Sequence, residues 1–370
     1  MLRFGILGCG SIAGFLGRLL ARPDGPLRER ACLVAVAGRD PVRAHRLAAE
    51  LGCEALAVPD LLARTDIDAV VVCTPSGTHA ELGTAALRAG KHVLVEKPVD
   101  VTPEAADRLI AAARHTGRTL GVISQHRFDP AAEVARAAIE DGTLGRITSV
   151  LIEVPLWRAR SYYASGQWRG TRALDGGGAL MNQAVHAVDL AQWLAGPVVE
   201  AAAHTGLLAH DGIEVEDVAT ASLKFADGAL GALLATTAAY PGRTTRVAVN
   251  GERGSVVIDN DELAYFHTAR EGEQPTAYGA YGDGNQAADR CPPPGEPPLR
   301  DRIGLLHQPH RDQLVDFCDA VRTGRPPLVD GAAGRRAVAA VHAVYTSART
   351  GRTVRLDESG NLTQDKGRTP

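Results

Sequence analysis

Phe4-Gly5-Ile6-Leu7-Gly8-Cys9-Gly10-Ser11-Ile12-Ala13-Gly14 is the stretch that decides the fold. Phe4 to Leu7 reads as a short apolar strand. The run after it is G-x-G-x-x-A and opens a helix carrying Phe15, Leu16, Leu19 and Leu20. Each small residue has a mechanical reason: Gly8 permits a tight turn, Gly10 lets a pyrophosphate approach the backbone, and Ala13 keeps helix and strand close. Ser11 and Ile12 start the helix, whose free N–H groups and positive dipole end favour phosphate. A glycine pattern alone is weak evidence, but one set between a strand and a helix specifies a dinucleotide-binding loop.

The pattern outward from this loop is strand–helix alternation. Leu33 to Ala37 and Ile67 to Cys73 read as buried strands, and so does His92-Val93-Leu94-Val95. Helical periodicity fills the intervals, stopped by Gly90 and Gly117, and Leu120 to Ile123 reads as a last strand. Such repeats specify a parallel sheet with helices on both faces, an α/β Rossmann-type domain. The residue after the second strand selects the cofactor, an acid suiting a ribose 2′-hydroxyl and an arginine a 2′-phosphate. Here Gly38-Arg39-Asp40-Pro41 puts glycine at the acidic position and Arg39 next, which favours NADP(H), with NAD(H) as the alternative. Asp40 serves either as the cap of a helix beginning at Pro41 or as a ribose ligand. Thr74-Pro75 ends a strand on the side where ligands of open α/β sheets bind, and His79 just beyond either reaches that ligand or serves structure. Glu96-Lys97-Pro98 leaves another strand on the same side, so Lys97 and Glu96 face the nucleotide crevice unless they are merely a solvated pair.

Composition bounds the rest. A chain of 370 residues with 45% hydrophobic and 22% charged residues is expected to hold two globular domains. A net charge of −3 gives no support for nucleic-acid or polybasic membrane binding. The six cysteines are scattered without a C-x-x-C pair, which argues against a zinc ribbon or a disulfide framework; reduced thiols in a cytoplasm fit best. No metal site is expected, and no apolar stretch approaches the ~18 residues of a membrane span.

The pattern changes after Arg127-Phe128-Asp129-Pro130. Ile147 to Pro155 alternates like a half-exposed strand, and several later segments read as antiparallel strands separated by glycine turns. Between them lies an aromatic and basic segment with Trp157, Arg158, Arg160, Tyr162, Tyr163, Trp168 and Arg169, either a polar-ligand surface or packing over the sheet. Asp175-Gly176-Gly177-Gly178 then precedes a helix on which Asn182, His186 and Asp189 stand at i, i+4 and i+7, sharing one face. The glycines let the backbone pass close to something. Residues 270–300 read as a long loop. The expected domains are 1–124 and 125–358, with a disordered tail over 359–370.

Together, the loop at 8–13, Thr74-Pro75 with His79, Gly90 to Pro98, Arg127-Phe128, Gly176 to Asp189 and Gly351-Arg352-Thr353-Val354 resemble the glucose–fructose oxidoreductase/inositol dehydrogenase/MocA (Gfo/Idh/MocA) family. The resemblance spans nearly the whole chain. It implies a Rossmann domain followed by an α/β domain built on a large, open, mostly antiparallel sheet, whose face commonly drives dimers or tetramers. It also implies hydride transfer between nicotinamide C4 and a hydroxyl-bearing carbon of a sugar, cyclitol or derivative. Position by position, Lys97 matches the family's Glu-Lys-Pro lysine and His186 its second-motif histidine, and the Lys-Pro bond is often cis. A base must take the hydroxyl proton as hydride leaves, and histidine titrates nearest neutrality. Lys97 would stabilise charge developing on the oxygen. One departure is Asn182, where many inositol dehydrogenase-like members have aspartate; it is assigned to substrate positioning, with Trp157, Arg158, Tyr163, Trp168, Arg169 and Asp189 as further substrate-side residues. A non-sugar carbonyl, of dihydrodiol or imine type, or a non-catalytic nucleotide-binding regulator are the alternatives.

Overall fold

Apolar strands flanked by amphipathic helices build the first of two sheets. The computed structural model describes residues 1–269, 277–279, 284–291 and 307–363. The contacts within it divide the chain into two units. The first holds residues 1–125, 172–176 and the described part of 300–338. Its sheet comprises β1 (Leu2–Leu7), β2 (Ala31–Ala37), β3 (Glu54–Leu56), β4 (Ala69–Val72), β5 (His92–Val95) and β6 (Leu120–Val122). All pairings are parallel and the order is β3-β2-β1-β4-β5-β6. That is the dinucleotide-binding order, with the switch point between β1 and β4. Every residue of β4 is buried, as a strand covered on both faces requires.

Local chemistry sets the helix ends. α1 (Ser11–Ala21) follows β1, and α2 (Pro41–Leu51) is capped by Asp40, whose side chain accepts from Val42 N and Arg43 N. Asp40 is therefore a cap, with Pro41 at the first helical position. α3 (Val58–Ala63) and α4 (His79–Arg88) lead to α5 (Pro103–Thr116), whose cap Thr102 accepts from Ala105 N. Periodicity predicted neither β3 nor α3. A three-residue strand and a six-residue helix are too short to show a period. The core collects Phe4 and Ile6 of β1 and Leu16, Leu19 and Leu20 of α1 with Leu314 and Phe317 from far along the chain, and the Phe4 and Phe317 rings lie 6.3 Å apart.

The second unit holds residues 126–171, the described part of 177–299, and 339–363. It contains α6 (Pro130–Glu140), α7 (Arg160–Ala164), α8 (Val185–Ala195) and an eight-stranded sheet. The strands are β7 (Ile147–Pro155), β8 (Val198–Gly206), β9 (Val218–Phe225), β10 (Leu230–Thr236), β11 (Arg246–Gly251), β12 (Gly254–Asp259), β13 (Glu262–Thr268) and β14 (Val354–Arg355). Their order is β13-β12-β11-β7-β10-β9-β8-β14, antiparallel throughout except where β10 runs parallel to β7. The mostly antiparallel open sheet of the expected fold class is present. Alternation sorts the faces: Val150, Ile152 and Val154 of β7 are buried, while Leu151, Thr220, Ser222 and Ala232 are exposed. The expected 270–300 loop falls mostly outside the described residues. Of the expected tail, 359–363 close a turn in which Leu356 bridges Leu362 and Asp357 accepts from Asn361 N; 364–370 lie outside the described residues. No described helix is long and apolar enough to cross a membrane.

Candidate active site

In the first unit, the nucleotide cradle follows from two glycines that differ in what surrounds them. Gly8 has φ +118°, and a Cβ there would lie 2.4 Å from the Cys73 carbonyl oxygen, so only glycine fits beside β4. A Cβ on Gly10 would meet nothing within 4 Å. That open space lies at the start of α1, whose N-cap Gly10 supplies no side-chain acceptor to its first N–H groups. The residues present thus fit the diphosphate of a dinucleotide: a concave backbone, exposed donors and a positive helix end.

At the end of β2, Gly38 stands where an acid is common because a Cβ there would come 2.6 Å from Cys9 Sγ. Arg39 and Arg43 are both exposed beside it, and Arg43 Nη2 donates to the Cys9 carbonyl at 3.2 Å. Arg43 was not singled out from sequence; its place one turn into α2, four residues beyond Arg39, was the available signal.

Thr74 and Pro75 leave β4 in a turn closed by the Thr78 hydroxyl, which donates to the Pro75 carbonyl at 2.7 Å. His79, expected to touch cofactor, is 1% exposed, and its ring nitrogens lie 2.8 Å from the carbonyl oxygens of Pro98 and Thr74. It ties the β4 loop to the β5 loop, a structural role. Lys97 leaves the carboxyl end of β5, half-buried, and the Lys97–Pro98 peptide is cis. Glu96 beside it is buried; its Oε2 accepts from Lys97 N at 3.0 Å, while burial pushes its pKa up to about 7 against the opposing Lys97 charge.

In the second unit, the glycines explain themselves. A Cβ on Gly177 would lie 2.0 Å from the Tyr345 hydroxyl, and one on Gly178 would lie 1.8 Å from the Glu216 carbonyl. Glu216 then caps the helical start, Oε2 accepting from Gly178 N at 3.1 Å and Oε1 from Leu180 N at 2.8 Å. What the glycine backbone passes is the protein's own Tyr345 and Glu216.

Ala179–Ala184 is π-helical and continues into α8. The wider turn breaks the simple one-face spacing of Asn182, His186 and Asp189. Asp189 is buried and bound bidentately by Arg127 at 2.6 and 2.8 Å, so it anchors α8 to the segment before α6 rather than meeting substrate. Asn182 joins a half-buried polar group centred on Tyr162. The Tyr162 hydroxyl receives Arg169 Nη1 at 2.6 Å and Gln183 Nε2 at 3.0 Å, and it donates to Asn182 Oδ1 at 3.3 Å. Two acceptances and one donation use the whole capacity of a phenol oxygen. Arg158 Nη2 donates to Gln183 Oε1 at 2.6 Å, and the Arg169 guanidinium lies 4.2 Å from the Tyr162 ring centroid and 4.5 Å from that of Trp168. Trp157 packs on His210, ring centroids 6.0 Å apart, and Tyr163 joins that ring to the group, its centroid 4.9 Å from His210 and 5.2 Å from Tyr162. Arg160 is taken up by exposed Asp211 at 2.6 Å.

His186 is half-buried and meets the His126 ring edge to face, centroids 4.9 Å apart at 85°. His126 Nδ1 lies 2.9 Å from both Asp129 and Asp261. Burial opposes charge on His126, but Asp261 and Asp129 outweigh it and push its pKa up to about 10. These three residues place potential ligand atoms within 4.8 Å of one another, the one such group among the described residues, and hydrogen bonds already join them.

Residues 2–124 match the model of an oxidoreductase family with an NAD-binding Rossmann fold, and residues 132–257 match that of the GFO/IDH/MocA C-terminal domain. A dTDP-3,4-didehydro-2,6-dideoxy-alpha-D-glucose 3-reductase of Saccharopolyspora spinosa is 34% identical over 70% of this chain and 74% of its own. The chain belongs to the Gfo/Idh/MocA family. An inositol 2-dehydrogenase of Rhizobium meliloti is 29% identical over 96% of this chain and 99% of its own. The WlbA dehydrogenase of Bordetella pertussis, solved with NADH and UDP-GlcNAcA, superposes with a TM-score of 0.83 at 30% identity, covering 96% and 98% of the two chains. This Gfo/Idh/MocA member is thus an oxidoreductase with an NAD-binding Rossmann fold. Tyr162 and Gln183, which link its second-unit polar group, were legible only as one tyrosine among several and one amide beside Asn182.

Proposed function

We propose that the protein is an NAD(P)-dependent dehydrogenase or reductase that moves a hydride between nicotinamide C4 and a secondary alcohol or ketone of a sugar, cyclitol or sugar derivative. The observation that carries the substrate class is the Tyr162 group. Two guanidiniums, two amides and a phenol form a hydrogen-bonded surface suited to hydroxyl-rich molecules, and neither Arg158 nor Arg169 is paired with a carboxylate among the described residues. Arginine forks of this kind match carboxylate or phosphate. We therefore favour a polyol or sugar bearing an anionic group, in line with relatives named for nucleotide-linked sugars.

When bound, the nicotinamide ring supplies the hydride acceptor or donor. Lys97 holds the reacting oxygen and stabilises the negative charge that develops on it. His186 takes the hydroxyl proton during oxidation and returns it during reduction. Asn182 orients a neighbouring hydroxyl. Arg39 and Arg43 favour the 2′-phosphate of NADP(H). The exposed face of the eight-stranded sheet, with Leu151, Thr220, Ser222 and Ala232, is assigned to a homodimer or homotetramer.

The test follows nicotinamide absorbance with myo-inositol, glucose, and UDP- and dTDP-linked hexoses and uronates in both directions. Lys97→Met should abolish turnover and leave dinucleotide affinity within a few-fold. His186→Ala should lower kcat by about 10²–10⁴. Undiminished turnover in either variant would remove the assigned role.

A further inference from the structure

The placement of His126 links the proposed acid/base to charges elsewhere in its unit. It stands just before α6, and two separate elements hold its Nδ1: Asp129, three residues on, and Asp261, in the turn between β12 and β13. That turn is the two-residue pair Asn260-Asp261, with φ of 51° and 68°. These are the dihedrals of a primed hairpin turn, which asparagine and aspartate tolerate best. A carboxylate is thus delivered to His126 by the tip of a hairpin fixed in register, and the ring has little freedom to rotate. Its edge-to-face partner is His186, with centroids 4.9 Å apart.

We propose that His126 is a positioning residue for His186: clamped as an imidazolium by Asp129 and Asp261, it sets the plane of the His186 ring and disfavours proton uptake there. The proposal rests on His186 being the acid/base. Its functional sense is that an alcohol arriving at neutral pH meets a His186 still able to accept a proton.

Several charged groups on the neighbouring elements have partners of their own. On α8, Asp189 is bound bidentately by Arg127. On α6, Glu133 acts on Asp129. Asp259, at the end of β12, is bound by Arg246 at 2.6 Å. The His126 ring packs directly on that of His186, and the two carboxylates stand behind it on Nδ1. A like charge in contact lowers a group's proton affinity, by about one pH unit or more when partly buried.

The signs follow. Replacing His126 by phenylalanine keeps an aromatic ring but removes the cation and leaves both carboxylates, so the His186 pKa should rise by about one unit. Asp261→Asn removes one carboxylate while Asp129 still holds His126 protonated, so the His186 pKa should fall. Histidine NMR titration of the free protein reads this without substrate, with His186 assigned from the spectrum of His186→Asn. The acid limb of kcat in alcohol oxidation should move the same two ways with whichever polyol or sugar of the panel turns over.

A merely structural role would lower stability or rate without moving the two variants in opposite directions. A His186 resonance unmoved in folded H126F, or moved the same way in both variants, overturns the proposal. If H126F fails to fold, D261N decides alone, since asparagine suits that turn and the site is partly exposed. An unimpaired kcat in His186→Asn would instead sink the acid/base reading, and the NMR shifts would still report the ring coupling.

Discussion

At the scale of single residues, the proposed preference for NADP(H) rests on two exposed arginines at one end of the first sheet. Arg39 was legible directly from its place after β2, whereas Arg43 acts through a helix turn that only the structure brings to the Cys9 carbonyl. Asp40, the acid next to Arg39, spends its side chain on the N–H groups of Val42 and Arg43. The expected outcome is that Arg39→Ala raises KM for NADPH about tenfold, as loss of one charge-assisted contact worth ~1.5 kcal/mol would, while KM for NADH stays within twofold. Arg39→Ala/Arg43→Ala together should reverse the preference. Steady-state kinetics with both cofactors checks this, and equal effects on the two would remove the phosphate assignment. His79 and Asp189 teach the opposite lesson. Both are polar residues in site motifs, yet one bridges two loop carbonyls and the other holds Arg127. A sequence shows the residue type but not which partner has already satisfied it.

At the scale of elements, the glycines separate what folding needs from what binding needs. Gly8→Ala would force a side chain against the Cys73 carbonyl in a left-handed conformation, and should cost about 3 kcal/mol. Gly10→Ala would meet no protein atom, so the melting temperature should hold within a few degrees. Its methyl group would occupy the diphosphate's approach, and dinucleotide affinity should fall at least tenfold. Thermal melts and a fluorescence titration with NADPH distinguish the two; intact affinity in Gly10→Ala would displace the diphosphate from this loop. The strand–turn–helix reading of 4–21 was sound because each level of the sequence agreed: an apolar strand, turn glycines and a periodic helix. The π-helical Ala179–Ala184 was not legible, because its cause lies in distant Glu216 and Tyr345 rather than in its own residues. The same holds for the His126 clamp, whose second carboxylate comes from a turn 135 residues later, at Asp261.

At the scale of the whole molecule, the second sheet leaves a patch of small and apolar side chains, Leu151, Ala202, Thr220, Ser222, Leu230 and Ala232, in the open on one face. Long exposed sheets are liabilities that proteins cover or blunt. Light scattering coupled to size exclusion should show a dimer or tetramer, and Ala232→Arg, at the middle of β10 and pointing outward, should shift it towards monomer without lowering secondary structure by circular dichroism. A monomeric parent protein would end this assignment. The parallel β10–β7 pairing was also hidden in the sequence, because alternation reports which side of a strand is buried and nothing about its neighbour's direction.

The first core is completed late. Phe4, Ile6 and Leu16 pack against Leu314 and Phe317 of α9 (His307–Thr323), so the first sheet lacks part of its filling until that helix has emerged from the ribosome. At roughly 5–20 residues per second, that interval is tens of seconds. During it the nascent nucleotide-binding half carries exposed apolar surface that Leu314 and Phe317 cover in the finished fold. It also means that a gene fragment ending after β6 should yield insoluble protein rather than a usable cofactor-binding module.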